Sequence, residues 1–96
     1  MIMTLEELYK IIKDRKENLP AGSYVTTLIK EGDDRIAQKI GEEATEVIIA
    51  AKNRNKKLLV SEVADLWFHL LVLLVNKNVS VKKVMNELKK RSKLSA

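Results

Sequence analysis

The sequence has no cysteine, one proline, three glycines and few aromatic residues. Without cysteine the chain has neither disulfides nor thiolate metal ligands, which fits a reducing compartment. The scarcity of proline and glycine disfavours an architecture of strands and tight turns. The 96 residues suffice for one small domain, 1–96, and the abundant aliphatic residues favour helices as its elements.

Targeting segments are also absent from the sequence pattern. The first four residues lack the basic region and long apolar stretch of a signal peptide. The longest apolar run, 66–75, is interrupted by His69 and is too short to span a bilayer. We therefore expect a cytoplasmic protein without a membrane segment. The formal net charge of +5 suits a polyanionic partner, either a phosphate-rich small molecule or a nucleic acid.

Hydrophobic periodicity divides the chain into about five helices, which predicts an all-α bundle. Residues suited to cap a helix N-terminus precede four of them; these are Thr4 (with Glu7 as a capping box), Ser23, Asp33 or Asp34, and Ser80. Turn-forming or basic residues separate the helices; these breaks are 18–22, Gly32, 52–57 and Asn78. The tail, 92–96, is predicted to fray.

The fourth helix, expected from about 58 to 77, is apolar on nearly every side between Val63 and Val75. A helix with that pattern is surrounded by protein. A small chain has few other helices to surround it, so we expect a homodimer with this helix near the interface. We place Trp67 and Phe68 in the core. Apolar stripes on the third and last helices are expected to face inward; they are Ile36, Ile40, Ala44, Val47, Ile48 and Ala51, and Val81, Val84, Met85 and Leu88.

Two pairs of acidic residues give the clearest chemical signal. Glu43 and Glu46 are three residues apart, and Glu62 and Asp65 repeat that spacing on the next helix. Residues three or four apart share a helix face, so each pair presents two carboxylates side by side. On antiparallel helices the two pairs can face each other. Four close carboxylates repel unless a cation lies among them, and Mg²⁺ takes oxygen ligands of this kind.

Each pair also has an ordinary explanation. The first could be a solvated face, with Lys39 and Glu43 as an i, i+4 ion pair, and the second could favour a helix dipole. Asp65 decides between the readings, because it precedes apolar residues at 66–68 and is expected to be at least partly buried. A buried carboxylate needs a partner, so a metal site is the favoured interpretation.

His69 lies one turn beyond Asp65. We expect a core histidine bonded to Asp65 or to the main chain, and the functional alternative is that it orients Asp65. The sequence has no glycine-rich phosphate loop, so phosphate chemistry must use metal ions and side-chain cations. Arg35 and Lys39 are the candidates to hold phosphates, since they share a helix with the first acidic pair. The lysines of the last helix are interpreted as a solvated face.

These residues lie within a pattern that resembles the phosphoribosyl-ATP pyrophosphatase family, which acts in the second step of histidine biosynthesis. The matching segments are Pro-Ala-Gly-Ser-Tyr-Val-Thr at 20–26, the stretch 32–44 that ends in Lys-Ile-Gly-Glu-Glu-Ala, and Glu-Val-Ala-Asp-Leu-Trp-Phe-His-Leu-Leu-Val-Leu-Leu at 62–74. The resemblance reaches from the first helix to about Arg91. The chain departs from the family pattern in having the larger Trp67, and Asn78 where glycine is common. Neither departure touches the acidic motif.

The resemblance implies an all-α, MazG-like homodimer that uses Mg²⁺, or Mn²⁺ in its place, to hydrolyse phosphoribosyl-ATP to phosphoribosyl-AMP and pyrophosphate. By motif position it assigns Glu42 a role as a further ligand or a water-orienting base, and Lys39 and Arg35 contacts to phosphate. The implied metal ligands are Glu43, Glu46, Glu62 and Asp65. It also implies a functional link to the cyclohydrolase that catalyses the following step.

Two other functions remain open from the sequence. A house-cleaning pyrophosphatase of non-canonical nucleoside triphosphates would keep both acidic pairs but would have no need of the segment with Ser23 and Tyr24, or of His69. A basic helical dimer that binds nucleic acid would explain the charge of +5 but would leave Asp65 without a role. We therefore expect neither a nucleic acid nor a membrane among the partners.

Overall fold

The computed structural model of the protein describes residues 3–91, and the fraying predicted for 92–96 lies outside them. Within 3–91 the ordered elements are all helices. They are α1 (Leu5–Asn18), α2 (Tyr24–Glu31), α3 (Asp33–Lys52), α4 (Lys56–Asn76) and α5 (Val81–Arg91). The predicted all-α fold is therefore confirmed, with five helices in this part of the chain.

Helices α3 and α4 form an antiparallel hairpin around which the others are arranged. They make the most extensive helix–helix contact among the described residues. Asp33, at the start of α3, accepts a hydrogen bond from Asn76, at the end of α4, which fixes the antiparallel direction. Helix α1 packs across α4, α2 packs against α3 and α1, and α5 packs chiefly against α1. The middle of α3 thus lies opposite the first half of α4.

Polar contacts close the open end of this hairpin. The Asp33 carboxylate pairs with Lys77 as well as with Asn76. These hydrogen bonds, that of Lys77 first, hold the pKa of Asp33 below its ordinary value. The prediction that Asp33 or Asp34 caps α3 is wrong, because Gly32 occupies the N-cap position and both acids lie in the first turn. Asp33 joins the two helices instead.

Two other predicted caps are present. The main-chain N–H of Glu7 donates to the hydroxyl of Thr4 at 3.1 Å, and that of Lys83 donates to Ser80 at 3.2 Å. Both satisfy one of the free N–H groups at a helix start. Ser23 does occupy the N-cap position of α2, but its side chain accepts no capping hydrogen bond. The prediction was therefore right about where α2 begins and wrong about what caps it.

The turn between α3 and α4 is shorter than the predicted 52–57. Helix α3 continues to Lys52, and α4 begins at Lys56 rather than near residue 58. The Asn55 side chain explains the early start, because it accepts a hydrogen bond from the main-chain N–H of Leu58 at 3.0 Å. Asn78 ends α4 with a φ of 57°, the left-handed conformation that its position predicts.

The core lies toward the open end of the hairpin, where α1 and α2 cover α3 and α4. Its fully buried large side chains come from four helices; they are Ile12, Leu28, Ile36, Val72 and Val75. The stripe predicted for α3 is buried only at this end, since Ile48 is 57% exposed and Ala51 is exposed as well. The reason is that α1 and α2 do not reach the turn end of the hairpin.

An apolar groove of about 300 Å³ runs between α1, α4 and α5. It is lined by Leu5, Trp67, Leu70, Leu71, Leu74, Val81, Val84, Met85 and Leu88. Trp67 is 52% exposed, which contradicts its predicted place in the core. Three of the four residues expected to face inward on α5 are also exposed, namely Val84, Met85 and Leu88. A single chain therefore leaves these apolar faces uncovered, because α5 has too few neighbours to bury them.

By length and composition, α4 is long and apolar enough to cross a membrane. The apolar run 66–75 alone understates this length, because the helix continues in both directions. Core helices of soluble proteins have the same length and composition, and α4 carries Glu62, Asp65 and the buried His69. The absence of a membrane segment stays a prediction.

Candidate active site

Three carboxylates from the α3–α4 hairpin lie together. Glu43 lies on α3, and Glu62 and Asp65 lie on α4. Each of these carboxylates has an oxygen within 4.8 Å of an oxygen of each of the other two. The antiparallel direction produces this arrangement, since it sets the middle of α3 against the first half of α4. Glu43 and Glu62 are half-buried between the helices, and oxygen atoms at this spacing can bind one hard divalent cation.

Glu46, the fourth predicted ligand, lies outside this group of three but close enough to affect it. Burial, followed by the negative charges of Asp65, Glu43 and Glu46, raises the pKa of Glu62 above its ordinary value. Like charges disfavour ionisation of their neighbours. The four carboxylates therefore repel one another in the folded chain, and a bound cation would relieve that repulsion.

Asp65 is exposed, whereas the sequence predicted at least partial burial. The apolar residues that follow it do not cover it, because this side of α4 lies outside the region that α1 and α2 enclose. Asp65 in a single chain is therefore not a buried carboxylate that needs a partner. Its proximity to Glu43 and Glu62 replaces burial as the reason to assign it to the site.

Lys39 supplies a positive charge at the edge of the carboxylates. Its Nζ lies 3.5 Å from a carboxylate oxygen of Glu43 and 3.6 Å from one of Glu42. Burial works to lower the pKa of Lys39, but Tyr24 and these two glutamates outweigh it and raise that pKa overall. Lys39 is therefore firmly protonated at neutral pH, and one monovalent cation is too little for four carboxylates.

No other lysine or arginine within residues 3–91 forms an ion pair with the acidic group. Arg35, one turn before Lys39 on α3, pairs with Glu31 at 3.2 Å across the junction of α2 and α3. The carboxylate of Glu42 accepts a hydrogen bond from Gln38 at 3.1 Å and is not one of the three that come together. Its predicted catalytic role stays a prediction.

His69 is a core histidine, as expected, with 5% of its surface exposed. Its Nδ1 lies 2.7 Å from the main-chain carbonyl oxygen of Asp65, and its Nε2 lies 2.9 Å from the hydroxyl of Tyr24. A carbonyl oxygen only accepts, so Nδ1 carries the hydrogen and donates it, and Tyr24 donates to Nε2. His69 therefore contacts the main chain of Asp65 and not its carboxylate.

Tyr24 was not among the predicted site residues. Tyr24 belongs to the matched segment 20–26, but nothing local in the sequence indicates that it faces His69, 45 residues away. That contact depends on the packing of α2 against α3 and α4. Lys39 and Tyr24 also lie close enough to interact, so α2, α3 and α4 all border the candidate site.

The donor set fits a hard cation. Carboxylate oxygens from two helices converge, the described chain provides no thiolate there, and the only histidine has both ring nitrogens engaged in hydrogen bonds. Mg²⁺ and Mn²⁺ favour such oxygen ligands, and Mg²⁺ commonly completes its coordination with substrate phosphates. Lys39 lies beside the carboxylates, whereas Arg35 lies one turn earlier on α3 and pairs with Glu31.

Comparison with known proteins gives a consistent result. Residues 5–92 match the family described as phosphoribosyl-ATP pyrophosphohydrolase. The chain is 51% identical over 92 residues to the phosphoribosyl-ATP pyrophosphatase of Clostridium novyi, covering 96% of this chain and 84% of that protein. It is 56% identical over 87 residues to the protein of that name from Listeria welshimeri, covering 91% of this chain and 84% of that one. It also matches 45% of the length of the histidine biosynthesis bifunctional protein of Caldanaerobacter subterraneus, at 51% identity.

Proposed function

The chain belongs to the phosphoribosyl-ATP pyrophosphohydrolase family, and from this premise we propose that it hydrolyses phosphoribosyl-ATP to phosphoribosyl-AMP and pyrophosphate with a divalent cation, Mg²⁺ or Mn²⁺. Membership makes it a hydrolase of histidine biosynthesis. The observation that carries the metal dependence is the convergence of Glu43, Glu62 and Asp65 within 4.8 Å. Lys39 is the one cation paired with this group among residues 3–91, so most of the negative charge of the three carboxylates is not neutralised by the described chain.

The proposed metal ligands are Glu43, Glu62 and Asp65, with Glu46 as a fourth. A cation held by these residues would supply positive charge to offset that of the phosphoryl oxygens and would make water more acidic near a phosphoanhydride. The raised pKa of Glu62 supports this assignment, since burial and, after it, repulsion from Asp65, Glu43 and Glu46 raise that pKa, and a cation would remove the repulsion. The half-buried positions of Glu43 and Glu62 between two helices hold their oxygens in place.

Side-chain cations of α3 would orient the substrate. Lys39 and Arg35 are one turn apart, so both can contact the phosphates of one triphosphate. Lys39 is charged at neutral pH as lysines ordinarily are, and although burial works to lower its pKa, Tyr24 and the neighbouring glutamates raise that pKa overall. Arg35 would exchange its exposed pair with Glu31 for a phosphate, which is a small loss because exposed ion pairs contribute little to stability. Glu42, at the edge of the group, would orient the attacking water.

Pyrophosphate release tests the proposed substrate. We expect rapid Mg²⁺-dependent release from phosphoribosyl-ATP and far slower release from ATP, dITP or oxidised nucleotides. The control is the same assay with excess chelator, which should stop the reaction. Preferential hydrolysis of the damaged nucleotides would favour the house-cleaning alternative, and no release from any of them would favour the nucleic-acid alternative.

We also propose that a second copy of the chain covers the apolar groove between α1, α4 and α5. The groove is lined almost entirely by apolar side chains, and Trp67, Met85 and Leu88 are each at least half exposed there. Helix α5 packs chiefly against α1, so its apolar side lacks a partner within the chain. Contiguous exposed apolar side chains mark interaction surfaces, and identical copies bring the same apolar face to both sides of a twofold interface.

Light scattering in detergent-free buffer tests the dimer. At low micromolar concentration we expect about twice the chain mass of 10.9 kDa, because burial of the groove residues drives association. Met85→Glu should shift the mass toward that of the monomer, while Lys89→Glu, on the same helix outside the groove, should not. A folded monomer at this concentration, or a protein soluble only in detergent, would rule out the dimer as proposed.

The cellular setting follows from the same proposal. A phosphoribosyl-ATP pyrophosphatase works where histidine is made, so we place the chain in the cytoplasm. The chain spans less than half of a bifunctional relative, which supports a functional link to a partner that acts on its product. We propose that this partner is the cyclohydrolase of the next step.

A further inference from the structure

We propose that Tyr24 is a positioning residue, whose hydroxyl acts through His69 to fix the turn of α4 that carries Asp65. This inference rests on the proposed function, because it assigns Tyr24 a role in metal binding by the carboxylates. It adds a residue of α2 to a site otherwise built on α3 and α4.

A chain of two hydrogen bonds connects Tyr24 to that turn. The Tyr24 hydroxyl donates to Nε2 of His69 at 2.9 Å, which holds the imidazole with its hydrogen on Nδ1. The Nδ1–H donates to the main-chain oxygen of Asp65 at 2.7 Å. This same carbonyl faces the next turn of α4, so the imidazole fixes the main chain directly at a proposed ligand.

Packing holds the rings in place independently of these hydrogen bonds. The rings of Tyr24 and Phe68 are stacked, with centroids 6.0 Å apart and an interplanar angle of 21°. The imidazole of His69 lies edge-on to both, at 5.7 Å from Tyr24 and 5.2 Å from Phe68. Removal of the hydroxyl alone should therefore leave the ring of residue 24 in position, and its effect can be separated from loss of packing.

Because His69 is buried, its hydrogen bond with the Tyr24 hydroxyl matters. Because only 5% of His69 is exposed, Nε2 has little access to water and depends on Tyr24 for a partner. Without that donor Nε2 is left unpaired and the imidazole is no longer held at this end, so it is free to turn and weaken its hydrogen bond to the Asp65 carbonyl. A purely structural role would lower stability, whereas a positioning role would weaken metal binding beyond the loss of stability.

The first test is Mn²⁺ binding to Tyr24→Phe without substrate, read from the electron paramagnetic resonance signal of free Mn²⁺. Residues that orient metal ligands typically affect affinity by 10–100-fold. Because this contact reaches the main chain of Asp65, we expect the low end, an increase in Kd of about tenfold. The concentration of Mg²⁺ that gives half-maximal pyrophosphate release should rise by the same factor.

Two matched variants control for unrelated effects. Tyr9→Phe removes the only other tyrosine hydroxyl, from a side chain on α1 that borders a different cavity with Lys13 and Ser80. Thr26→Val removes a buried hydrogen bond from α2, the 3.0 Å bond to the carbonyl of Pro20, without touching His69. Both should bind Mn²⁺ as the parent does, even where Thr26→Val melts at a lower temperature.

Substitution of His69 tests its two hydrogen bonds separately. His69→Asn places an amide N–H near the position of Nδ1 and can keep the bond to the Asp65 carbonyl, whereas His69→Gln places its amide near Nε2 and cannot. We expect His69→Asn to bind Mn²⁺ more tightly than His69→Gln, and Tyr24→Phe to add no further loss to His69→Gln.

The outcomes separate this inference from the proposed function. If Tyr24→Phe changes the Kd for Mn²⁺ no more than Tyr9→Phe and Thr26→Val do, Tyr24 has no positioning role even though the parent is active. If His69→Gln binds Mn²⁺ as well as His69→Asn, the contact to the Asp65 carbonyl has no effect on the site. A parent that neither binds Mn²⁺ nor releases pyrophosphate would overturn the proposed function and this inference together.

Discussion

Replacing Glu43 by Gln or Asp65 by Asn is expected to reduce Mg²⁺-dependent pyrophosphate release about a hundredfold or more, while leaving the helices intact. Each substitution keeps the shape of the side chain and removes one negative charge. Glu43 and Asp65 come from different helices of the hairpin but place oxygens within 4.8 Å of each other and of Glu62. Loss of either should therefore disable a shared metal site from opposite sides.

Stability should not follow activity in these variants. Asp65 and Glu43 are two of the charges that raise the pKa of Glu62, so neutralising either relieves repulsion in the metal-free protein. The melting temperature without metal should stay the same or rise in Asp65→Asn, and it should change little in Glu43→Gln, where loss of the ion pair with Lys39 offsets the relief of repulsion. An inactive variant that is at least as stable as the parent excludes misfolding as the cause.

Glu6→Gln is the matched control for this experiment. It makes the same chemical change at an exposed position in the first turn of α1, away from the hairpin. Its turnover should equal that of the parent. Near-parental turnover of Glu43→Gln or Asp65→Asn at saturating Mg²⁺ would count decisively against the carboxylate site.

The presence of the helices and several of their ends could be predicted, because they depend on residues close together in the sequence. The capping residues Thr4 and Ser80 lie where the sequence places them, and the left-handed Asn78 ends α4 as expected. The spacing of the acidic pairs, on helices that run antiparallel, predicted that the pairs can face each other, and Glu43 does lie beside Glu62 and Asp65. Such features involve residues within one turn of each other, or one short connection.

The solvent exposure of individual side chains could not be predicted, because it depends on which helices pack over them. Trp67 and Asp65 both lie in or beside the most apolar stretch of the chain, yet both are exposed in a single copy. The contact between Tyr24 and His69 spans 45 residues and is set by where α2 packs. The sequence thus predicted Glu43, Glu62 and Asp65 as neighbours, as the structure has them, but the burial expected for Asp65 was wrong.

Mg²⁺ or Mn²⁺ should raise the melting temperature of the parent well beyond the effect of ionic strength. The folded chain gathers carboxylates of Glu43, Glu62 and Asp65 that an unfolded chain keeps apart. Binding only to the native state adds RT ln(1 + [L]/Kd) to the free energy of unfolding, about 2.7 kcal/mol at a hundredfold excess over Kd. For a domain of this size, each kcal/mol corresponds to roughly 4–8 °C.

If Mg²⁺ only screened surface charge, its effect on the melting temperature would be different. If the chain were a basic nucleic-acid-binding dimer, Mg²⁺ would act only as salt on a positively charged surface. NaCl at matched ionic strength would then produce the same change in melting temperature. The difference between the two salts therefore isolates specific binding from screening.

The melting temperature of the Glu46→Gln, Glu62→Gln double variant, measured with Mg²⁺ and with NaCl at equal ionic strength, tests the carboxylate site most directly. It does not depend on the substrate, and it removes one proposed ligand from each helix. We predict that Mg²⁺ stabilises the parent by several degrees more than NaCl and stabilises the double variant no more than NaCl. An equal Mg²⁺-specific rise in both proteins would show that the metal binds elsewhere.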